Sequence, residues 1–410
     1  MKKEEDVFQI YNEMDKLLDS INLDNKKEKS TDNNNINDIP DMPKVFFDEE
    51  KKPIEYKEKT EEEKEQPKEK KKKRKKNKTT KWVITFGFLD VIAIVCLFLM
   101  YGPISYFRNF WVTSAMSTMS HQYLAYIFFN QEQIDDILSQ NTIIEVEGNT
   151  NEEEIKFEEP EEIIEYTSPE EEQILTRDPG NDLYKVIKVE GNGYKGHLLV
   201  VYDPSKLQLV QVSNLKYGKT IETFAREYGA VAGTNAGGFV YSKVYGYTPT
   251  GTVIIDGQLM NDGVGTGWGG GIIGFTNDNV LVLTKSSAQE ALDMGIRDAV
   301  SFGPFLIVNG VASQFTGNGG YGVAPRTAIG QRKDGIVLLL VIDGRRPGHS
   351  IGVDMVELTN IMLKYGAYNA SNLDGGGSST IVANGETLSV GGGYGYTGDR
   401  YLHNAWLLIP

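Results

Sequence analysis

The clearest hydrophobic feature of the chain is an apolar run from Trp82 to Tyr101. A helix needs about 20 such residues to span the hydrocarbon layer of a membrane, so residues 82–102 are predicted to form a transmembrane helix. The basic run Lys70–Lys76 stands just before it, and positive charge marks the cytoplasmic side. The pattern predicts a single-pass protein of the cell membrane with a cytoplasmic N terminus and an extracellular C-terminal domain. For Asp90, in the middle of the run, a helix–helix contact and simple compensation by apolar neighbours both remain open.

Three further segments lack the pattern of a large folded core. Residues 1–81 are rich in Lys, Glu, Asp and Asn, which predicts a disordered cytoplasmic tail with a polybasic end. The sequence does not identify a cytoplasmic partner for this tail. Residues 103–144 mix aromatic and polar positions, which predicts a membrane-proximal helical segment. Residues 145–181 are rich in Glu with interspersed Pro, which predicts an extended acidic linker.

From residue 182 onward, short strand patterns alternate with three helical patterns. This mixture predicts an α+β fold, with one mixed-sheet catalytic domain over residues 182–410 and many Gly-rich loops. The predicted strands include 184–189, 197–202, 207–212 and 335–342. The predicted helices are 220–228, 288–299 and 354–365. Asp354 would cap the last helix with Glu357 as its capping-box partner, and Gly366 would follow the helix end.

Charge and cysteine content argue against several classes of function. The net charge of −15 argues against nucleic-acid binding, because phosphate backbones are held by Lys and Arg. The single cysteine, Cys96, excludes an intramolecular disulfide framework and a Cys-based zinc site. The sequence predicts no metal site and no cofactor. Loops rich in Asp and Asn would nevertheless suit a divalent cation such as calcium.

Four clusters carry residue types suited to catalysis. They are Gly233–Phe239 (GTNAGGF), Ser301–Phe305 (SFGPF), Ala324–Gly330 (APRTAIG) with the later Asp343-Gly344-Arg345, and Asn372–Thr380 (NLDGGGSST). In the last cluster, glycines allow the backbone to approach a ligand closely, and consecutive N–H groups can form an anion-binding nest. Asp374 stands at the rim of that turn. The pattern suits a carboxylate that acts on a phosphorylated substrate; a glycine-rich hairpin without a ligand is the alternative.

Three further polar residues have two interpretations each. Arg326 could hold a phosphate through paired hydrogen bonds or be an ordinary surface residue. Asp343 ends a very apolar strand and could be a site residue, or it could form a turn paired with a neighbouring arginine. His349 lies in the following loop, where a bystander is the favoured interpretation over a base.

Two nucleotide-binding interpretations are rejected. The cluster Asn372–Thr380 lacks the Gly-Lys-Ser/Thr of a Walker loop and leads into a predicted strand. The segment Gly265–Gly270 fits G-x-G-x-x-G, but a strand pattern follows where a dinucleotide fingerprint needs a helix. We interpret this segment as a loop.

In this order, the four clusters resemble the phosphodiester glycosidase family, that is, the uncovering-enzyme-like N-acetylglucosamine-1-phosphodiester α-N-acetylglucosaminidase domain. The resemblance covers residues 182–410, and the segment Ala115–Ala125 is similar to the membrane-proximal part of Gram-positive members. Ala236 stands where glycine is common in the family. The tail Asp399–Ala405 lacks the Arg-Pro-Val that relatives more often carry before the Asn, so its role is less defined than that of the clusters.

The resemblance implies a hydrolase that cleaves the anomeric C–O bond of sugar-1-phosphate diesters in surface or exopolysaccharide glycans. It implies catalytic roles for Asp374 as base or nucleophile, Arg326 on the phosphate and Asp343 in support. The substrate-binding residues that it implies are Asn235, Gly237, Arg345, Gly375, Gly376, Gly377, Ser378, Ser379 and Thr380. The implied partners are a phosphodiester-linked glycan and, through residues 82–102, the lipid bilayer.

Two other functions remain open at this point. A non-catalytic, membrane-tethered module that organises cell-wall polymer would use cleft aromatics such as Trp268 and Tyr321 and would not need Asp374. A transferase would pass the sugar phosphate to another acceptor. Product analysis separates a transferase from a hydrolase, and an Asp374 variant separates an enzyme from a binding module.

Overall fold

The structure of the chain is a computed structural model that describes residues 78–118, 121–157, 165–263, 270–390 and 400–410. The predicted disordered tail with its basic run lies outside these residues. The glycine-rich segment 265–269, which includes Trp268, lies outside them as well.

The predicted transmembrane segment forms helix α1 (Lys78–Tyr101). From Trp82 onward nearly all of its side chains are exposed, and Trp82–Tyr101 is long and apolar enough to cross a membrane. A helix that exposes an apolar surface on all sides needs apolar surroundings. This property fits a membrane anchor and also a signal sequence.

Three short helices follow α1 and share a small core. They are α2 (Ser105–Met116), α3 (Tyr123–Tyr126) and α4 (Gln131–Ser139). Val112, Phe129 and Ile134 are buried between them, together with Met100 from the end of α1. The core therefore joins the apolar helix to the segment that follows it.

This membrane-proximal segment is attached to the C-terminal domain by direct contacts. The Asn318 side-chain amide donates to Thr113 Oγ1 (2.8 Å), and the Val323 N–H donates to Ser114 Oγ (3.2 Å). Strand β1 (Ile143–Ile144) also pairs with a strand of the domain, Gln314–Phe315. Helix α2 thus contacts the loop that precedes the third sequence cluster.

The described parts of the predicted acidic linker lie against the domain. Ile174, in helix α5 (Pro169–Leu175), is fully buried in the core on one face of the largest sheet. Glu154 pairs with Lys333 (2.8 Å), and Glu170 pairs with Lys364 (2.8 Å). Over residues 145–157 and 165–181 the structure therefore differs from the expected extended linker, because apolar positions are buried and some glutamates find lysine partners.

The largest sheet has seven strands, and all its pairings are antiparallel. In spatial order its strands are β14 (Val311–Ala312), β13 (Phe305–Val308), β18 (Asn369–Asn372), β16 (Arg326–Gln331), β17 (Val337–Ile342), β3 (Tyr194–Val201) and β2 (Tyr184–Gly191). Strand β17 is buried on both faces, as its continuous apolar sequence predicts. The third and fourth clusters therefore meet on the neighbouring strands β16 and β18.

Two further antiparallel sheets have five strands each. The strands of one are β20 (Glu386–Thr387), β19 (Ile381–Ala383), β5 (Ala232–Asn235), β21 (Asn404–Leu408) and β4 (Leu207–Gln211). The strands of the other are β11 (Leu281–Thr284), β10 (Gly271–Thr276), β12 (Ile296–Phe302), β8 (Val253–Ile255) and β9 (Gln258–Asn261). A separate hairpin consists of β6 (Phe239–Ser242) and β7 (Gly246–Pro249).

The three large sheets share one hydrophobic core. Leu339 from β17, Trp406 from β21 and Phe275 from β10 are fully buried in it. The rings of Phe275 and Trp406 meet edge to face with centroids 5.5 Å apart, and burial of such side chains contributes about 1.5–3 kcal/mol each. This core fixes the relative positions of the strand ends that carry the sequence clusters.

The α+β prediction is confirmed, and within the described residues a helix packs on the outer face of each large sheet, with α5 beside this helix on the largest one. The helices are α6 (Ile221–Tyr228), α7 (Ala288–Asp293) and α8 (Met355–Lys364). The predicted helix over 288–299 is wrong in its second half. Gly295 has a φ of +77° and ends the helical region, and the following residues pair with β10 as strand β12.

The predicted start of α8 is confirmed in one half only. The Asp354 side chain accepts the Glu357 N–H (2.9 Å), which satisfies an orphan donor of the first turn. The Glu357 side chain instead bonds to Tyr194. Burial, as the largest cause, and this hydrogen bond, as the second, raise the pKa of the Tyr194 phenol to about 12. The cap is therefore a single side-chain bond and not a reciprocal capping box.

Candidate active site

The four sequence clusters meet where strands of two sheets end side by side. Asn235 ends β5 and its side-chain amide donates to the Asp374 carbonyl oxygen (2.6 Å). Its carbonyl oxygen Oδ1 accepts from Thr327 Oγ1 (2.9 Å) and from the Thr380 N–H (3.1 Å). The buried Asn235 side chain thus joins the first, third and fourth clusters by three hydrogen bonds.

The second cluster is fixed to the same place through Asn372, at the end of β18. The Asn372 side-chain amide donates to the Gly303 carbonyl oxygen (2.7 Å), and its backbone N–H donates to the Pro304 carbonyl oxygen (3.0 Å). Asn235 contacts Asp374 through its side chain. Asn372 is close to Asp374 because it lies two residues before it in the sequence. Their amide groups hold the backbone on which the carboxylate stands.

Asp374 is partly buried in this junction. Burial raises the pKa of its carboxyl group to about 6, although the Ser378 hydroxyl, the charge of Arg400 and the Gly375 N–H oppose the rise. Carboxylates with raised pKa values that lie beside a cation are typical of acid, base or nucleophilic residues. Near neutral pH, Asp374 is mostly ionised and remains close to its titration point.

The glycine turn after Asp374 is held by internal hydrogen bonds. Gly376, with a φ of +61°, donates its N–H to the Pro325 carbonyl oxygen (2.8 Å). The N–H groups of Ser378 and Ser379 donate to carbonyl oxygens of the same turn. These donors are used within the protein, so side chains next to the turn supply the free positive charge.

Two arginines stand on either side of this turn. A Cβ added to Gly376 would lie 3.5 Å from both terminal nitrogens of Arg345, and one added to Gly377 would lie 3.7 Å from Nη1 of Arg400. Arg400 Nη1 donates to the Ser378 hydroxyl (3.0 Å). Partial burial, and then repulsion from Arg400, lower the pKa of Arg345. Within the described residues, neither guanidinium forms an ion pair.

Asp343 is buried at the end of β17 and pairs with His349. Its Oδ2 lies 2.8 Å from His349 Nε2, and its Oδ1 accepts the Val390 N–H (2.9 Å). The alternative interpretation is a turn in which Asp343 pairs with a neighbouring arginine, whereas the contacts observed for its carboxylate are with His349 and Val390. The pair instead ties down both ends of the loop that carries Arg345.

Arg326 lies beneath the site and is buried. Its Nη2 donates to the carbonyl oxygens of Tyr321 (2.7 Å) and Gly322 (2.6 Å), and its Nε donates to that of Val353 (3.2 Å). Burial, with repulsion from Arg345 as a smaller cause, lowers the pKa of Arg326 to about 10. The phosphate contact predicted for Arg326 stays a prediction, and the surface-residue alternative is wrong.

Other residues of the predicted set are also near Asp374. Ser378 bonds to both Asp374 and Arg400, and Gly375 supplies an N–H to the carboxylate. Gly237 donates its N–H to the side chain of Asn404 (2.9 Å). Their predicted role in substrate binding stays a prediction, as does that of Gly377, Ser379 and Thr380.

Sequence reasoning missed Arg400 and Asn404, and it favoured a bystander role for His349. The tail that holds Arg400 departs from the family pattern, so no motif pointed to it. The residues that the structure describes include no group of three or more His, Cys, Asp or Glu side chains arranged to hold a metal ion.

The chain is similar in sequence to several known proteins. A bovine (Bos taurus) N-acetylglucosamine-1-phosphodiester alpha-N-acetylglucosaminidase is 28% identical over 208 residues, which are 46% of this chain and 36% of the relative. The mouse (Mus musculus) protein of the same name is 28% identical over 53% of this chain and 44% of its own length. The SPbeta prophage-derived uncharacterized protein YomE of Bacillus subtilis is 29% identical over 42% of this chain and 27% of its own. The chain thus spans less than half the length of these curated relatives.

The chain is also similar to a solved structure, and a family model matches its C-terminal part. The catalytic domain of the zebrafish N-acetylglucosamine-1-phosphodiester alpha-N-acetylglucosaminidase, auto-inhibited by its pro-peptide, aligns with a TM-score of 0.47 and 20% identity. The alignment covers 57% of this chain and 85% of that one. The model of the phosphodiester glycosidase family, whose members are glycan-modifying hydrolases, matches residues 228–409. The match to the phosphodiester glycosidase family thus lies in the C-terminal domain of this chain.

Proposed function

We propose that this chain hydrolyses the bond between the anomeric carbon of a sugar and the oxygen of a phosphodiester. The observation that carries the proposal is the pair Arg345 and Arg400, which flanks the glycine turn directly after Asp374. Neither guanidinium forms an ion pair among the described residues, although the charge of Arg400 acts on Asp374, and the two arginines repel each other. A phosphate between them supplies the missing charge, and guanidinium groups hold phosphate through paired hydrogen bonds.

Asp374 is the acid–base or nucleophilic group in this proposal. The anomeric C–O bond breaks, the electron pair leaves with the phosphate oxygen, and water supplies the oxygen of the new anomeric hydroxyl. The carboxylate of Asp374 either takes a proton from this water or attacks the anomeric carbon first. A phosphomonoester is a good leaving group, and the two arginines stabilise the charge that it gains. A second carboxylic acid is therefore less necessary than in ordinary glycosidases.

The remaining residues position this centre. Arg326 holds the loop 321–325, whose Pro325 carbonyl fixes the glycine turn. Asp343 and His349 hold the loop that carries Arg345. Asn235 fixes the backbone of Asp374. In this assignment Arg345 and Arg400 replace Arg326 as the direct phosphate ligands.

We further propose that α1 anchors the enzyme in the cell membrane, with the N terminus in the cytoplasm and the catalytic domain outside. The basic run before α1 and the apolar surface of the helix support this orientation. The substrates would then be phosphodiester-linked glycans of the cell surface or of exopolysaccharide, and the bilayer would be a permanent partner. Because the Asp- and Asn-rich loops of the sequence would suit a divalent cation, the assay is run with and without calcium.

The test is turnover by the full-length protein in detergent micelles. A panel of methyl sugar-1-phosphate diesters is supplied with and without chelator, and free sugar and methyl phosphate are measured. The expected result is release of both products from at least one diester by the wild type and no release by Asp374→Asn. The control is Asp182→Asn, an exposed carboxylate on the surface, which should retain full activity.

The arginine pair has its own test. Arg345→Gln and Arg400→Gln should each lower kcat/KM by about tenfold to a hundredfold, the size expected for a charged hydrogen bond. Arg177→Gln, at a solvent-exposed arginine, is the matched control. Wild-type activity in both site variants would contradict the phosphate assignment. Binding of polymer without turnover by any protein would favour the non-catalytic glycan-binding module.

A further inference from the structure

A group of exposed tyrosines lies beside the candidate site. It consists of Tyr241 and Tyr245 on the β6–β7 hairpin, with Tyr217 and Tyr401 on the adjoining segments. We call these residues, together with Tyr247, the tyrosine face. Tyr245 is 74% exposed, Tyr217 70% and Tyr241 55%. Single exposed aromatics are ordinary, but a group of them on one surface marks a binding site.

Contacts between elements hold this face together. The Tyr247 N–H donates to the Leu215 carbonyl oxygen (2.7 Å), which places the hairpin against the segment that carries Tyr217. Burial is the largest cause that raises the pKa of the Tyr247 phenol, and the nearby phenols of Tyr241 and Tyr401 raise it further. Tyr401 precedes Leu402, whose backbone pairs with Lys219 on the same side of the domain. The face is therefore a surface of packed elements.

Ring contacts connect the face to the catalytic turn. The rings of Tyr241 and Tyr247 have centroids 4.9 Å apart, and those of Tyr247 and Phe239 are 5.1 Å apart. The Arg400 guanidinium lies 4.7 Å above the Phe239 ring and donates to Ser378. A ligand on the face would thus continue directly from a phosphate held by Arg400.

The chemistry of the face fits a charged glycan. Tyrosine offers a flat apolar ring for the C–H face of a sugar and a hydroxyl for its polar groups. Lys216 and Lys243 are exposed on the same segments, and they give the face positive charge on a chain whose net charge is −15. An anionic chain in which sugars alternate with phosphates matches both properties.

We propose that the tyrosine face binds the sugar residues that continue beyond the scissile linkage of a polymeric, phosphate-containing glycan. The inference rests on the proposed hydrolase function, and it assigns the substrate class as polymer and not as short glycosyl phosphates. Tyr241, whose ring contacts Tyr247, extends the site outward from Arg400, and Tyr245 is the most exposed tyrosine of the same hairpin, so these two residues would determine the preference.

The experiment compares two substrates with the same linkage. The full-length protein in detergent micelles is assayed on poly(N-acetylglucosamine 1-phosphate) and on methyl N-acetylglucosamine-1-phosphate. The double variant Tyr241→Ala/Tyr245→Ala should lose about tenfold in kcat/KM on the polymer, as expected for two lost ring contacts, and less than twofold on the short diester. Tyr228→Ala, at an exposed tyrosine on α6, should change neither value.

A second measurement separates this inference from the proposed function. Polymer binding is measured in the Asp374→Asn background, with and without the double substitution, so that the result does not depend on turnover. Weaker binding after the double substitution supports the tyrosine face even if no substrate is hydrolysed. Equal binding overturns the inference, whatever the enzyme does to the short diester.

Two other results would also overturn the inference. Equal losses on polymer and short diester would mean that the tyrosines only position the catalytic turn. Loss of binding to anionic lipid vesicles, with polymer binding unchanged, would assign the face to the membrane surface. Circular dichroism and the thermal midpoint confirm that each variant is folded, which is expected because both side chains are exposed.

Discussion

Replacement of Asp374 by Asn should abolish activity and at the same time stabilise the fold at neutral pH. The physical reason is that burial raises the pKa of the Asp374 carboxyl group from 3.8 to about 6. Between these two pH values the folded state retains a proton that the unfolded state releases. The free energy of unfolding therefore falls as pH rises through this window, and the penalty is complete above pH 6.

The size of the effect follows from the same pKa shift. One pKa unit corresponds to about 1.4 kcal/mol, so the shift sets a ceiling of about 3 kcal/mol for the penalty. Because Asp374 is only partly buried, solvent screening reduces this figure, and we expect about 1–3 kcal/mol. For a domain of this size the thermal midpoint of Asp374→Asn should rise by about 2–12 °C at pH 7.5.

The assay is thermal and denaturant unfolding of both proteins from pH 4 to pH 8. The stability difference should be near zero at pH 4, appear between pH 4 and pH 6, and remain constant above. The kcat/KM of the wild type should fall on the acid side with an apparent pKa near 6 if ionised Asp374 does the chemistry. An Asn variant that is equally stable, or less stable, at pH 7.5 would refute the account of a destabilised catalytic carboxylate.

Three further predictions concern a buried histidine and two residues that hold the candidate site. Burial lowers the pKa of His403 to about 3, so below pH 6.5 the unfolded state binds a proton that the folded state excludes. The wild type should therefore lose up to about 1.4 kcal/mol of stability per pH unit between pH 6 and pH 4, and His403→Phe should remove this loss. An unchanged pH dependence of stability in the variant would contradict this prediction. Asn235→Ala removes three hydrogen bonds and should lower the free energy of unfolding, measured by denaturant titration, by about 2–4 kcal/mol. An unchanged free energy of unfolding would mean that these bonds do not hold the site together. Gly376→Ala should reduce kcat/KM at least about tenfold, because its methyl group would lie 3.5 Å from both terminal nitrogens of Arg345 and would occupy space in which the phosphate is proposed to bind. Gly385→Ala, which also has a left-handed φ but open space around it, should retain activity. Equal activity of the two variants would exclude a role for the Gly376 contact.

Local patterns predicted much of the fold. The apolar run gave α1, and the strand patterns at 184–189, 197–202, 207–212 and 335–342 all appear as strands. The error at 288–299 arose because a helical pattern continued past Gly295, and only pairing with a distant strand shows that the chain changes to β12 there. The division into three sheets is also a long-range property that no local pattern reports.

The sequence identified the clusters that form the candidate site, but it did not predict which arginines lie next to Asp374. The clusters around Asn235, Arg326 and Asp374 do meet. The sequence assigned the phosphate to Arg326, because it follows a proline in a family motif, yet its guanidinium is used by three carbonyl groups. The arginines that face the turn are Arg345 and Arg400. Their nearness depends on how separate loops fold over Pro325 and the glycine turn, which is not encoded in any one segment.

The most direct test of the central claim is hydrolysis of a sugar-1-phosphate diester in water enriched in oxygen-18, followed by mass spectrometry of both products. The account predicts that the label enters the anomeric hydroxyl of the released sugar and that the phosphomonoester is unlabelled, because the C–O bond is broken. Label in the phosphate instead of the sugar would mean that the P–O bond is broken. That result would contradict the assignment of Asp374, Arg345 and Arg400 to glycosidic cleavage.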